Sequence, residues 1–280
     1  MSFFSHFFRE LILSQCSFYG PCLYSDLSNI ALKSKDMKIL SGLTFFLLFS
    51  SISFAQLDYA KILGDTSKST EKPFSIALHG GIGLRTGVFL DGEREFNKDF
   101  ARRLNYGYHV EFQTSYFLKP NWGVGLVANL YGAQSSGNYE MANDVNSDVV
   151  INKTTQTDRL IFIGPALVGR YNYKKFNLQY SFAVGVQSYM SEMKWDEMST
   201  AKSFKSEFNG FTWSLGGNIQ IGYQVMENIN VFICPTYYFG LLNKGDFTGP
   251  DNKKTEITLK NEDRIDVSRF SIGLGASYSF

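Results

Sequence analysis

The chain has 280 residues, with 27 Lys and Arg against 26 Asp and Glu, and 16% of it is aromatic. A charge balance this close to zero gives no argument for a nucleic-acid partner, and none is expected. Charged residues at 19%, 25 glycines and only 6 prolines exclude a disordered chain and favour aromatic-rich strands.

Residues 1–36 carry Phe3, Phe4, Phe7, Phe8 and two cysteines, Cys16 and Cys22, but no domain-sized pattern. They are read as an N-terminal extension ahead of a true start at Met37. A lipoprotein reading of Cys16 fails on Gln15, where a small residue is wanted, and on the lack of a long apolar run before it. Met37 opens a secretion signal over residues 37–55. Lys38 is the charged end, Ile39 to Ile52 the apolar or small-residue run, and Ser53 and Ala55 the small residues at −3 and −1. The strongly apolar part, Leu43 to Phe49, is far short of the roughly 20 residues a spanning helix needs. Cleavage would leave Gln56 first and Cys234 as the one cysteine, so no internal disulfide is expected. Residues 56–72 are mixed and polar, a periplasmic lead-in.

From residue 73 to 280 the chain reads as strands. The first runs over Phe74 to Leu84, with Ile76, Leu78 and Ile82 on one face and His79, Gly81 and Gly83 on the other. Arg85 to Arg103 is a charged loop. The second strand sets Leu104, Tyr106, Tyr108, Val110, Phe112 and Tyr116 against Gly107, His109, Glu111, Gln113 and Ser115. A tight turn at Lys119–Pro120–Asn121 leads to the third, with Trp122, Val124, Leu126 and Leu130 outward. Gly132 to Asp158 is a long polar loop. The fourth strand places Ile161, Ile163, Pro165, Leu167 and Tyr171 outward and Arg170 inward. Its proline counts against a central strand.

Lys174 and Lys175 turn into the fifth strand, Phe176 to Gln187. Tyr189 to Asn209 is a third long loop, carrying Met190, Met193, Trp195 and Met198. Phe211, Trp213, Leu215, Ile221 and Tyr223 mark the sixth strand, and Glu227 and Asn228 its turn. Ile229, Val231, Ile233, Pro235, Tyr237 and Phe239 mark the seventh. Asn243 to Asp266 is the last long loop. The eighth strand alternates Phe270, Ile272, Leu274, Ala276, Tyr278 and Phe280 with Ser271, Gly273, Gly275, Ser277 and Ser279.

Eight strands joined by alternating long and short connections predict an all-β fold, an antiparallel up-and-down transmembrane β-barrel with both ends in the periplasm. Open edges are not tolerated in lipid, so the eight must close. The rival is an exported soluble β-sandwich, in which the same apolar rows would face a core.

Inward charges are few: His79, His109, Glu111, Arg170 and Arg269. Closure brings the first, second and eighth strands together, so His79, His109, Glu111 and Arg269 are expected to converge. They would serve either as a small catalytic or ion-handling group or, as we favour, as a polar plug. An eight-stranded barrel is just wide enough for its side chains to fill, which also argues against a pore. Ser75 and Ser115 point inward without a histidine placed for nucleophilic catalysis. No ligand spacing supports a metal, and Gly249 to Glu256 lacks the spacing of a phosphate or calcium loop. No catalytic, cofactor-binding or metal-binding residue is therefore expected.

WGVGL at Trp122–Leu126, IGPALVGRY at Ile163–Tyr171, the short turns and the terminal YSF at Tyr278–Phe280 carry a family resemblance. The chain resembles the eight-stranded outer-membrane barrel (porin-like, OmpA-type) family of Bacteroidota. That resemblance implies a Gram-negative outer-membrane location and contact with its lipids. It also implies that Phe280 is read by the barrel-assembly machinery. The barrel is read as ending at Phe280, so no peptidoglycan-binding domain of the kind found in two-domain relatives is expected. The expected role is non-enzymatic and structural or surface-binding, carried by the outer loops toward an extracellular protein or lipid. The alternatives are a lipid-modifying enzyme, a small-solute pore or the soluble binding domain.

Overall fold

In the computed structural model, strict alternation of large apolar and small or polar residues draws the chain into long antiparallel strands. β1 (Phe74–Arg85) is followed by a short helix, α1 (Lys98–Leu104), and then by β2 (Tyr106–Lys119), β3 (Trp122–Ala142) and β4 (Val149–Tyr173). β5 (Phe176–Glu197), β6 (Lys202–Met226) and β7 (Ile229–Leu242) come next. Three short strands, β8 (Lys244–Thr248), β9 (Lys254–Thr258) and β10 (Ile265–Asp266), precede β11 (Arg269–Ser279). The structure describes residues 72–86, 98–142, 149–197, 202–259 and 264–280. All belong to the second of two units, Lys68–Phe280. The expected extension, export signal and lead-in lie outside the described residues, apart from Lys72.

Sequential neighbours pair from β1 through β7. β11 then bonds to β7 on one side and to β1 on the other, which closes an eight-stranded antiparallel ring. At the seam, Ser75 pairs with Ser279 and Arg85 with Arg269. The Phe280 amide donates to the Phe74 carbonyl at 2.8 Å, and the two rings lie 5.5 Å apart. Closure gives every strand of the ring two partners, the condition for a sheet in lipid.

The outside of the ring is apolar. Tyr108, Trp213, Leu274 and Phe211 are 70–77% exposed, among a belt of large apolar side chains that covers all eight strands. A soluble fold does not leave such a continuous apolar surface open, so the belt faces lipid and the β-sandwich reading is set aside. Pro165 sits on this outward face, where the β4–β5 ladder is interrupted between the pairs Ile163↔Val186 and Ala166↔Ala183. Its missing N–H thus falls at a gap in the ladder. Three tight turns, at Pro120–Asn121, Lys174–Lys175 and Glu227–Asn228, mark one end of the barrel. Lys174 takes a left-handed φ of 54° in the two-residue loop between the paired Tyr173 and Phe176.

The other end differs from the sequence reading. Gly132–Asp158 and Tyr189–Asn209 are mostly strand. β3 pairs with β4 up to Ala142↔Val149, and β5 with β6 up to Glu197↔Lys202. β3 to β6 are 21–25 residues long, against the ~9–11 needed to cross lipid. β8 adds to the edge of β6 and β9 to β8, within the stretch read as the last loop. A sheet of six strands, β3-β4-β5-β6-β8-β9, therefore rises beyond the belt. Polar composition hid it, because a sheet standing in water needs no apolar outer face. Two boundaries also shift. Arg85 ends β1, and Leu104 closes α1 as a buried residue rather than joining the lipid-facing row of β2.

The interior is packed. Phe117, Val127, Phe162, Ala166, Val168, Ala183 and Tyr238 form one cluster; Tyr131, Ala133, Leu160, Tyr189, Leu242 and Val267 form another. Tyr131 lies against the backbone of Gly83 and Gly107, where a Cβ would stand 2.8 and 2.7 Å from its ring. Glycine at those two inward positions is what lets a full tyrosine cross the lumen.

Candidate functional site

The convergence expected of His79, His109, Glu111 and Arg269 occurs. His79 and Glu111 are cross-strand partners on β1 and β2, and the imidazole Nε2 stands 3.8 Å from Glu111 Oε1. The His79 and His109 rings are 5.4 Å apart, edge to face. Glu111, fully buried, is the hub. Tyr238 Oη donates to its Oε2 at 2.6 Å, and Asn129 Nδ2 donates to the same oxygen at 2.9 Å. Asn218 Nδ2 donates to Oε1 and also to Gln113 Oε1, which takes a further bond from Gln220. Three donors converge on this one carboxyl group, so both of its oxygens are occupied as acceptors.

Arg269, also fully buried, reaches Glu111 through Asn129, to whose Oδ1 it donates at 2.8 Å. Its guanidinium lies 4.4 Å from the Tyr238 ring centre and 5.8 Å from that of Tyr131. The charge is thus held between two aromatic faces and one amide bridge. Arg170 does not join this group. It sits at the turn end, donating to the carbonyls of Pro120 and Lys72, with its guanidinium 3.8 Å from the Phe117 ring centre.

A second buried cluster lies higher, under the sheet extension, and was not expected. Arg85 Nη1 donates to Asp158 Oδ2 at 2.6 Å. Asp158 also accepts from Tyr189 Oη at 3.1 Å, Ser191 Oγ at 2.8 Å and Gln156 Nε2 at 3.2 Å. Arg85 further donates to the Asp266 carbonyl. Both residues fall in stretches that the sequence reads as outer loops. Continuing the alternation, by one step past 83 on β1 and back through 162 and 160 on β4, finds them: 79, 81, 83, 85 and 158, 160, 162, 164 share the inward parity. Tyr238 was missed for another reason. It lies between Tyr237 and Phe239, so aromatic residues occupy both faces and the period vanishes.

Chemically, this is a filled interior. The carboxylates are saturated with donors, and the bulky groups expected in the lumen, Tyr131, Arg170 and Gln187, are all buried. Ser115 accepts a bond from Gln113 Nε2 at 3.2 Å, and the hydroxyl nearest His79 Nε2 is Thr236 at 3.4 Å, not a serine. Among the described residues no group of three or more His, Cys, Asp or Glu side chains could hold a metal ion.

No protein-family model matches the chain. No curated protein matches it either. Its fold is similar to several solved structures. The outer membrane protease OmpT from Escherichia coli is 12% identical, with 75% of this chain and 98% of that one covered and a TM-score of 0.42. A major outer membrane protein from Thermus thermophilus is 10% identical, with 74% and 99% covered and a TM-score of 0.43. The outer membrane protein OprG from Pseudomonas aeruginosa is 17% identical, with 75% and 98% covered and a TM-score of 0.40. All three are outer membrane proteins by name. For this chain, the barrel assignment stands on its own closed ladder and apolar belt.

Proposed function

We propose that this protein is an integral outer-membrane barrel whose role is non-enzymatic and whose recognition surface is the sheet that rises beyond the belt. The observation that supports this reading is the two-faced chemistry of that sheet. On one face the Trp195 ring stacks on Phe204, its cross-strand partner, with centres 6.1 Å apart and planes 23° from parallel. Met193 shares that face by alternation, as do the paired Phe208 and Phe247. The opposite face carries ions. Glu192 stands across from Glu207 and Lys194 across from Lys205, so direct partners repel, but the diagonal Glu192–Lys205 and the same-strand pairs Glu192–Lys194 and Lys205–Glu207 attract. Lys205 Nζ lies 3.0 Å from Glu192 and 2.6 Å from Glu207, and Lys194 Nζ lies 2.8 Å from Glu192.

An ion-laced outer face keeps the sheet in water, while half-buried aromatics on the other face are the residue types that anchor partners. A packed lumen supports a scaffold rather than a conduit or a reaction chamber. The stacked Trp195 and Phe204 lie within the stretch that the sequence reads as the third long loop; Met198 of that stretch is outside the described residues. The lipid contact of the belt, the reading of Phe280 by the assembly machinery and cleavage after Ala55 belong to the same proposal.

The test is the double variant Trp195→Ser with Phe204→Ser. Heat-modifiable gel migration should persist, showing an intact barrel, while adhesion of expressing cells to host membranes or extracellular proteins falls. Loss of heat-modifiability with adhesion unchanged would make the aromatic pair a lid over the barrel mouth and remove the recognition reading.

A further inference from the structure

We propose that the free edge of β9 takes up an extended peptide segment of an extracellular protein as one more strand, and that Lys254 and Glu256 select the charges of that segment. The inference deepens the recognition reading of the upper sheet and rests on it. Among the described residues β9 pairs with β8 alone, so it ends the sheet. The opposite margin, β3, has α1 packed against it. The Leu259 amide donates to the Asn243 carbonyl at 2.8 Å, and the Gly249 amide to the Lys253 carbonyl at 3.1 Å. Hydrogen-bonded pairs recur at every second residue of an antiparallel ladder. Residues 253, 255, 257 and 259 therefore turn their backbone toward β8, and Lys254, Glu256 and Thr258 turn theirs away. These three exposed residues offer N–H and carbonyl groups at a repeat of about 7 Å. An extended backbone carries donors and acceptors at the same repeat, which names the occupant as a strand.

A second copy of this chain does not fit. Thr255 lies level with Phe247 and Phe208, and Phe208 is three residues, about 10 Å of strand, from Phe211 in the belt. Antiparallel pairing of two β9 edges turns one barrel upside down, into a facing membrane. The β5–β6 ribbon climbs to Lys202, six residues or about 20 Å beyond Phe208, and would run into that facing lipid. Two copies in one membrane are related by a two-fold axis along its normal. That axis sets equal residues side by side, N–H against N–H and carbonyl against carbonyl. The occupant is thus a segment of a different protein.

The two faces of β9 set the pattern of that segment. Thr255 and Ile257 stand beside Phe247 and Gly245, on the aromatic face of the sheet. Lys254 and Glu256 lie on the ion-bearing face, in line with Glu207 and Asn209. Lys254 Nζ is 3.0 Å from Asp246 and Glu256 is 4.0 Å from Lys244 Nζ, yet the two side chains remain 66% and 67% exposed. Exposed pairs of this kind contribute little and leave both charges able to meet a further partner. Residues of an added strand share the face of those they stand beside. An acid beside Lys254 and a base beside Glu256 attract, and the reverse arrangement repels. The selected segment therefore alternates acid, apolar, base, apolar. Charge on an edge deters indiscriminate pairing. One charge of each sign, two residues apart, also admits the complementary strand and penalises the others.

The experiment titrates the full-length protein in detergent with two labelled synthetic peptides. One alternates valine with aspartate and lysine in turn, the other valine with aspartate throughout. Fluorescence anisotropy reads affinity, and amide hydrogen exchange reads the place of contact. Wild type should bind the mixed peptide at least fivefold tighter than the all-aspartate one, and Glu256→Lys should reverse that order. The amides of Lys254, Glu256 and Thr258 should gain protection on binding, while those of Thr255 and Ile257, already turned to β8, change little. Glu256→Pro deletes an outward N–H and leaves the β8 ladder whole. It should keep heat-modifiable migration and bind the mixed peptide at least tenfold more weakly. Absent or equal binding of the two peptides by wild type would overturn the proposal, as would undiminished binding by a folded Glu256→Pro barrel. If that variant does not fold, the order of affinities in Glu256→Lys decides. The Trp195→Ser, Phe204→Ser variant separates the two readings. Adhesion unchanged in it, with protection still gained at Lys254 and Glu256, would remove the recognition reading of the aromatic face and keep the edge. Adhesion lost in it, with no protection gained at the edge of wild type, would keep that reading and remove the edge.

Discussion

Tyr238→Phe removes one oxygen from the most connected point of the interior. The phenol donates to Glu111 Oε2 at 2.6 Å, and its ring stands 4.4 Å from the Arg269 guanidinium. Phenylalanine keeps the ring and deletes only the donor, so the cation–π contact survives. A hydrogen bond to a charged group contributes about 1.5–3 kcal/mol. Asn129 still donates to the same oxygen, so Glu111 is not left bare, and a loss of about 2 kcal/mol is expected. Tyr238→Leu should cost more, by a further ~0.5–2 kcal/mol from the lost ring over a desolvated guanidinium. The phenylalanine substitution should cost only ~1 kcal/mol in a Glu111→Gln background, where the acceptor is neutral. Urea unfolding of the barrel in detergent, followed by tryptophan fluorescence, measures wild type and these four variants, Glu111→Gln alone included. If Tyr238→Phe changes stability by less than about 0.5 kcal/mol, or costs the same with and without the Glu111 charge, the carboxylate is not the hub described here.

Asp158→Asn leaves Arg85 buried without its carboxylate and should cost about 3–5 kcal/mol, whereas the paired change Arg85→Met with Asp158→Leu should recover most of that, both read by urea unfolding. Purified protein in planar bilayers should give no stable conductance steps, since the lumen is packed along its length; reproducible large steps would contradict the packing. The Glu192 carboxyl is held below its usual range by hydrogen bonds from Lys194 and Lys205, and Lys205 is raised by those to Glu207 and Glu192. A depressed acid stabilises the fold above its unfolded pKa and loses that contribution as pH falls through the folded value. Hydrogen-exchange protection of the upper β5–β6 ribbon should therefore be flat near neutrality and decline below the ordinary carboxylate range, less so in 1 M salt, which screens these exposed pairs. Protection that rises on acidification would reverse the sign.

The ring is legible in the amino-acid sequence. Period-2 alternation in eight segments, three short turns at Pro120–Asn121, Lys174–Lys175 and Glu227–Asn228, and the terminal Phe280 all recur in the structure at the positions expected. Lipid makes this legible, because an outward residue must be apolar and an inward one small or polar, and a one-residue slip exposes the wrong set. The meeting of His79, His109, Glu111 and Arg269 followed from that parity and the seam alone. Only the tertiary structure decided what happens above the belt. There the outer face meets water, so Glu192, Lys194, Lys205 and Glu207 sit in strands that composition marks as loop. It also decided the partners across the lumen. Tyr238 reaches Glu111 over 127 positions of chain, and Arg85 reaches Asp158 over 73. Local pattern shows which way a side chain points, but the residue it meets across the barrel depends on register and stagger summed over the strands between.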